Sequence, residues 1–261
     1  MEIVIKNLSY TYSKVNYQDK EVFKKLNMNI KNSVNCIIGA NGVGKTTLLD
    51  LISGDLNCNS IELPKRVNIG YIKGEPEFIC DTVREELIFS MMEHNYKVSE
   101  KRIIDVLLMV GLDVEYIDKK INLLSLSNKR LLSLACALIY NPNLILMDNF
   151  TEELDDFNKK KVIKLIKLLK TKFNKTFIIA SDDLEFVNKV ADEVFVLYNK
   201  KVIIHGSKYD VFKREDELKK YGVDTPNIIK FENLTLKKKN IRLGYRDEIN
   251  DLIKDIYRHS Y

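Results

Sequence analysis

Apolar and polar positions alternate with a period of two across "EIVIKNL" (2–8) and "EVFKKLNMNI" (21–30), the pattern of half-buried strands. "VNCII" (34–38) is a short apolar run ending in a glycine-rich turn, which predicts a buried strand with a helix after it at about 45–54. Further short strands are expected at 59–63 and 67–72. The spacing then becomes helical in "TVREELIFSMME" (82–93) and "SEKRIIDVLLMVGL" (99–112), with Thr82 and Ser99 as N-caps. From residue 127 the order is helix (127–140), strand (143–148), helix (156–172), strand (176–180), helix (183–190) and two strands (193–199, 201–205). Strands that alternate with helices imply a parallel sheet, since parallel neighbours need a crossover between them. Beyond Gly206 the alternation stops, and 214–261 reads as polar helical segments, broken by Pro226 and Gly244, that pack on the main domain.

Composition narrows the class. With 261 residues, 45% of them hydrophobic, the chain can build one large α/β domain and a smaller appendage. A net charge of +5 demands no nucleic-acid surface, and no nucleic-acid partner is expected; lysine-rich runs such as "NKKKVIKLIKLLKTK" (158–172) read as solvated helix faces. Cys36, Cys58, Cys80 and Cys136 show neither CxxC nor Cys/His spacing, which argues against a disulfide framework or a zinc site and fits a reducing cytosol. There is no charged-then-apolar leader and no run approaching the roughly 18 apolar residues of a membrane span. A role at a membrane is therefore expected to be exercised from outside the bilayer.

The chemistry is concentrated in "GANGVGKT", Gly39, Ala40, Asn41, Gly42, Val43, Gly44, Lys45 and Thr46, followed by Thr47. It matches G-x-x-x-x-G-K-[ST] and lies where that motif needs to lie, after an apolar strand and before a helix. Glycines let backbone N–H groups turn inward around phosphates, the helix N-terminus adds partial positive charge, and Lys45 reaches the terminal phosphates. Thr46 offers a hydroxyl to Mg²⁺, and Asp148, at the end of the apolar run "LILMD", supplies the carboxylate expected to hold the metal's water. ATP and Mg²⁺ are thus the expected ligands.

Taken with the rest of the chain, these residues resemble the ATP-binding subunits of ABC transporters. The order matches throughout: Tyr12 in "LSYTYSK", the phosphate loop, "LLSLSNKR" (123–130) where the family writes LSGGQ, "LILMDNFTEELD" (144–155) where it writes LLLDEPTxGLD, and "FIIASDDLEFVNKVADEVFVLYNKKVIIHG" (177–206) where it writes a strand, a histidine switch and two closing strands. The tail, "ELKKYGVDTPNIIKFENL" (217–234) and "YRDEINDLIKDI" (245–256), resembles the C-terminal extension of energy-coupling-factor ATPases, the cobalt- and vitamin-importer branch. The resemblance implies an α/β P-loop NTPase of the ABC type at 1–213, with a mixed central sheet, an antiparallel β subdomain and a helical subdomain at about 80–140. A small helical extension at 214–261, a possible dimerisation element, would follow. It further implies that Tyr12 stacks on adenine, and that a second ABC ATPase subunit, a membrane coupling subunit and a substrate-binding membrane protein are partners at the cytoplasmic face of the membrane. An importer for a vitamin or metal ion is the implied setting.

In that family each catalytic site is shared between two subunits, and here the residues depart from the pattern. Asn149 replaces the glutamate that polarises the attacking water, Asp182 replaces the histidine that contacts the γ-phosphate, and Gly74 stands where a glutamine follows the fifth strand. In the signature that faces the partner's nucleotide, Ser125, Leu126, Ser127 and Asn128 include Leu126 and Ser127 in place of glycines. An amide is no base, a carboxylate repels phosphate where imidazole donates, and a branched side chain bars close backbone approach. A positioned base typically contributes about 10²–10⁴ in rate, so weak or no ATPase activity is expected of the chain alone. Glu75 and Glu77 are the carboxylates that could substitute. The importer reading makes this the catalytically weak partner of a heterodimer. The alternative is a pseudo-ATPase without a transport role that acts as a nucleotide-dependent interaction or regulatory protein.

Overall fold

The computed structural model describes residues 1–15, 18–239 and 249–259, and its strands divide into two sheets. The first is an antiparallel sheet in the order β2 (Gln18–Ile30), β1 (Ile3–Val15) and β4 (Ile61–Glu62). β1 and β2 extend beyond the alternating stretches, through 9–15 and 18–20, and Asn7 and Lys25, both at φ 50°, sit at irregularities in their ladder. β4 is shorter than 59–63, the run expected there.

The second sheet carries the site. Its order is β5 (Ile69–Ile72), β6 (Leu144–Asp148), β7 (Thr176–Ala180), β3 (Val34–Ile38), β8 (Glu193–Tyr198) and β9 (Lys201–Ser207), parallel except for the antiparallel last pair. β3, β6 and β7 are buried along their whole length, as a sheet covered on both faces requires. Cys36, Ile145, Met147, Phe177 and Ile179 enter one core, under the helices, while Ile37, Leu144, Leu146, Ile178 and Ala180 enter another, shared with the antiparallel sheet. That second core also takes Leu48, Leu49 and Ile52 of α1 (Lys45–Ser53), which fixes the loop before α1 over the strand ends.

Between β5 and β6 the chain forms α2 (Val83–Glu93), α3 (Glu100–Val110) and α4 (Leu126–Ile139), which bury Leu87, Met91, Ile103, Val106, Leu131 and Leu138 together. Thr82 caps α2 in a reciprocal pair with Glu85, and Ser99 caps α3. The remaining helices are α5 (Asp156–Phe173), α6 (Leu184–Val190), α7 (Lys208–Phe212), α8 (Glu215–Lys220), α9 (Asn227–Lys239) and α10 (Ile249–His259). Pro226 stands immediately before α9, whereas the break expected at Gly244 lies outside the described residues. Leu218, Val223, Ile228, Ile229 and Leu252 of the tail join the main core, and Asn227 N–H donates to Glu185 at 2.6 Å.

Candidate functional site

The loop from Gly39 to Gly44 passes from the buried end of β3 into α1, whose N-cap is Gly44 and carries no side-chain cap. Gly44 has φ 108°, and a Cβ there would lie 2.7 Å from Val22 Cγ1 and 3.0 Å from the Phe23 ring. Only glycine fits both the backbone angle and the β2 side chains pressed against it. The loop therefore leaves the first-turn N–H groups of α1 aimed at a cavity of about 400 Å³ lined by Tyr12, Asn41, Gly42, Lys45, Thr46, Thr47, Asn149, Glu152 and Asp182, among others. On the far side of the loop, Gly39, Ala40 and Asn41 face a second space with Gly222 and Asp224 of the tail, and Val43 N–H donates to Ala40 O at 3.2 Å.

Lys45 is 6% exposed. Its ammonium group donates to Gly39 O at 2.8 Å and Ala40 O at 3.3 Å, and it pairs with Asp182 Oδ1 at 2.8 Å. These acceptors match the three hydrogens of a lysine side chain. Asp182 is held in turn by Asn149, whose Nδ2 donates to Asp182 Oδ2 at 3.3 Å and whose Oδ1 accepts from the Asp182 N–H at 3.2 Å. Asn149 sits at φ 39°, a left-handed conformation that asparagine tolerates better than most residues, with its own N–H bonded to Ala180 O at 2.9 Å.

Thr46 Oγ1 donates to Asp148 Oδ2 at 2.7 Å, while Asp148 Oδ1 is buried and has no hydrogen-bond partner among the described residues. Burial pushes the Asp148 carboxyl above its ordinary range, against the pull of the Thr46 hydrogen bond and the nearby Lys45 charge. An unpaired buried carboxylate oxygen beside a hydroxyl is the donor set a hard cation or its water would complete, so these residues fit Mg²⁺. Gly74 lies against the same carboxylate: a Cβ there would be 3.5 Å from Asp148 Oδ2, and no side chain reaches the metal position from it. The Tyr12 hydroxyl and Thr47 Oγ1 are 3.2 Å apart, and the ring packs edge-on against Tyr10.

Not every residue singled out in the sequence comes to this cavity. Ser125 is the N-cap of α4, bonded to Asn128 N–H at 3.2 Å, and Leu126 opens the helix with 60% of its surface exposed. Ser127 Oγ donates to Asp155 at 2.9 Å and accepts from Asn158 at 2.9 Å. The four therefore form a separate edge that does not line the Lys45 cavity. Glu75 and Glu77 line a different groove with Tyr71 and Phe89. The carboxylate that does line the Lys45 cavity, besides Asp148's neighbour Asp182, is Glu152, an exposed residue in the turn after β6. No sequence motif marks it.

Among the described residues no helix is long and apolar enough to cross a membrane. The sequence profile of the ABC transporter family matches residues 23–152. An energy-coupling factor transporter ATP-binding protein EcfA1 of Ligilactobacillus salivarius is 30% identical, over 90% of this chain and 88% of its own length. An EcfA2 of Mycoplasma capricolum is 27% identical, over 92% of this chain and 93% of its own. The solved structure of cbiO1 from Clostridium perfringens, described as part of the ABC transporter complex cbiONQ, superposes with a TM-score of 0.70 at 27% identity, covering 88% of this chain and 98% of that one.

Proposed function

Because the chain belongs to the ABC transporter ATP-binding proteins of the energy-coupling-factor type, we propose that it is the ATP-binding, catalytically weak member of a pair of ATPase subunits driving an importer for a vitamin or metal ion. The observation that supports this most strongly is the contrast within one cavity. The phosphate loop, Lys45, Thr46 and Asp148 are in place, whereas the two positions beside them that would handle water and the terminal phosphate hold Asn149 and Asp182, engaged with each other.

Lys45 and the loop N–H groups would hold the phosphates of ATP, Tyr12 the adenine, and Thr46 with Asp148 the Mg²⁺. Bound Mg·ATP supplies the interactions that draw two such subunits together. Asn149 orients Asp182 but takes no proton from water, as an amide has no basic site at neutral pH. The edge Ser125–Asn128 would face the partner's nucleotide, where it contributes contacts rather than proton transfer. The partners in this reading are a second, intact ATPase, a membrane coupling subunit and a substrate-binding membrane protein, with this chain on the cytoplasmic face. Purification of the tagged full chain from membranes tests it. An intact ATPase and integral membrane proteins should co-purify, and recovery of the chain with neither would point to a role outside transport.

A further inference from the structure

The Lys45 ammonium has no hydrogen left over for a ligand: Gly39 O, Ala40 O and Asp182 Oδ1 take all three. Two of those acceptors belong to the loop backbone and cannot leave without dismantling it. Any phosphate that reaches Lys45 must therefore displace the Asp182 carboxylate or share the cation with it. Asp182 is the movable member, since its side chain is 38% exposed while that of Lys45 is 7% exposed. It is also restrained, because Asn149 grips both its carboxylate and its backbone N–H.

We propose that Asp182 is a specificity-determining residue that mimics a terminal phosphate and makes this site select nucleoside diphosphates over triphosphates. The inference rests on the reading of this cavity as the nucleotide site. A carboxylate on the phosphate-loop lysine presents two anionic oxygens where the outermost phosphoryl group would place its own. A diphosphate brings less charge to that position, so it can share Lys45 with Asp182 while the loop amides and the α1 N-terminus hold its two phosphates. A triphosphate brings its most highly charged group against the carboxylate, and like charges beside the protein wall repel more strongly than in bulk water. It binds only if Asp182 swings out and gives up Lys45 and Asn149 together. Glu152, which lines the same cavity, adds further negative charge.

The test is calorimetric titration of the purified full chain with ADP and with ATP, each with Mg²⁺, for wild type and Asp182→Asn. Wild type is expected to bind ADP at least roughly tenfold more tightly than ATP, a difference of about 1.4 kcal/mol. Asp182→Asn, which keeps the shape and the Asn149 contacts but removes the charge, is expected to raise ATP affinity more than ADP affinity and to collapse the ratio. Asn149→Ala, which loosens the grip without removing the charge, should move the ratio in the same direction by less. A wild type that binds ATP as well as or better than ADP overturns the inference while leaving the nucleotide-site reading intact. So does an Asp182→Asn variant that strengthens both nucleotides equally. If neither nucleotide binds wild type, the nucleotide-site reading itself fails. The wild-type ratio needs no substitution, so a variant that does not fold leaves that half of the test standing.

Discussion

Asn149 and Asp182 hold each other by two hydrogen bonds, amide to carboxylate at 3.3 Å and backbone N–H to amide oxygen at 3.2 Å, at the two positions where a base and a phosphate-contacting donor would stand. The two departures are therefore one coupled arrangement, and reversing either alone breaks it. Asn149→Glu would set a second carboxylate beside Asp182 and force glutamate into the left-handed backbone at φ 39°. We expect that variant to raise the ATPase rate of the assembled complex very little and to lower the melting temperature of the chain. Asn149→Glu combined with Asp182→His should raise the rate by more than about tenfold over Asn149→Glu alone, within the range a positioned base supplies. Equal rates for the two variants would mean that the coupling does not govern turnover.

In the proposed pair of subunits, Leu126 and Ser127 would face the partner's nucleotide. Leu126 is 60% exposed at the head of α4, poised toward whatever docks on that edge. Leu126→Gly with Ser127→Gly should increase the complex's ATPase rate by letting the backbone approach the partner's nucleotide. It should also destabilise the isolated chain by about 1–2 kcal/mol, from glycine in a helix first turn and the loss of the Ser127 bonds to Asp155 and Asn158. If the complex slows instead, the working site is built on this chain's own phosphate loop.

Gly44→Ala tests the loop without touching charge. Its φ of 108° and the 2.7 Å approach of Val22 to the added Cβ leave the methyl nowhere to go. A stability loss of about 1–3 kcal/mol is expected, together with loss of nucleotide binding by equilibrium dialysis. Retained affinity would show that the loop does not cradle phosphate.

Asp148 gives the pH dependence. Burial raises its folded-state pKa above the unfolded one, so in the window between the two the folded chain holds the extra proton. This group's contribution to stability therefore falls as pH rises through that window, and above it the chain carries a buried, ionised carboxylate at a cost. Asp148→Asn removes the cost and keeps an acceptor for Thr46, so in thermal melts the metal-free variant should gain on wild type at about pH 8 and lose that gain at acid pH. The same variant should weaken the Mg²⁺ dependence of nucleotide binding. A melting difference that does not change with pH would place Asp148 in a more solvated setting than its burial indicates.

Much of this was legible in the sequence, and what was not has identifiable causes. The mostly apolar runs of β3, β6 and β7 and the capped starts of α2 and α3 carry their own signals, so the large sheet and the helices between β5 and β6 follow from pattern alone. The length of the β1–β2 hairpin did not, because its outer part, 9–15 with 18–20, pairs across repeated register shifts and not in clean alternation. The loop lysine and the hydroxyl and carboxylate at Thr46 and Asp148 were readable from motif and context. That Asp182 would close on Lys45 was not: 137 positions apart, the two meet only because β3 and β7 are adjacent strands. Each residue reads as an isolated feature until the sheet order is known. Glu152 escaped for a simpler reason, since a turn glutamate has no periodicity to betray where it points.

The most direct measurement is ATP turnover by the assembled complex when the partner ATPase's base glutamate has been changed to glutamine, which leaves the site on this chain's own loop as the one under test. Turnover there should be at least about a hundredfold below 1 s⁻¹. Sustained turnover of about 1 s⁻¹ or more in that complex would contradict a catalytically weak site and show that another group, Glu152 foremost, activates water beside Asn149.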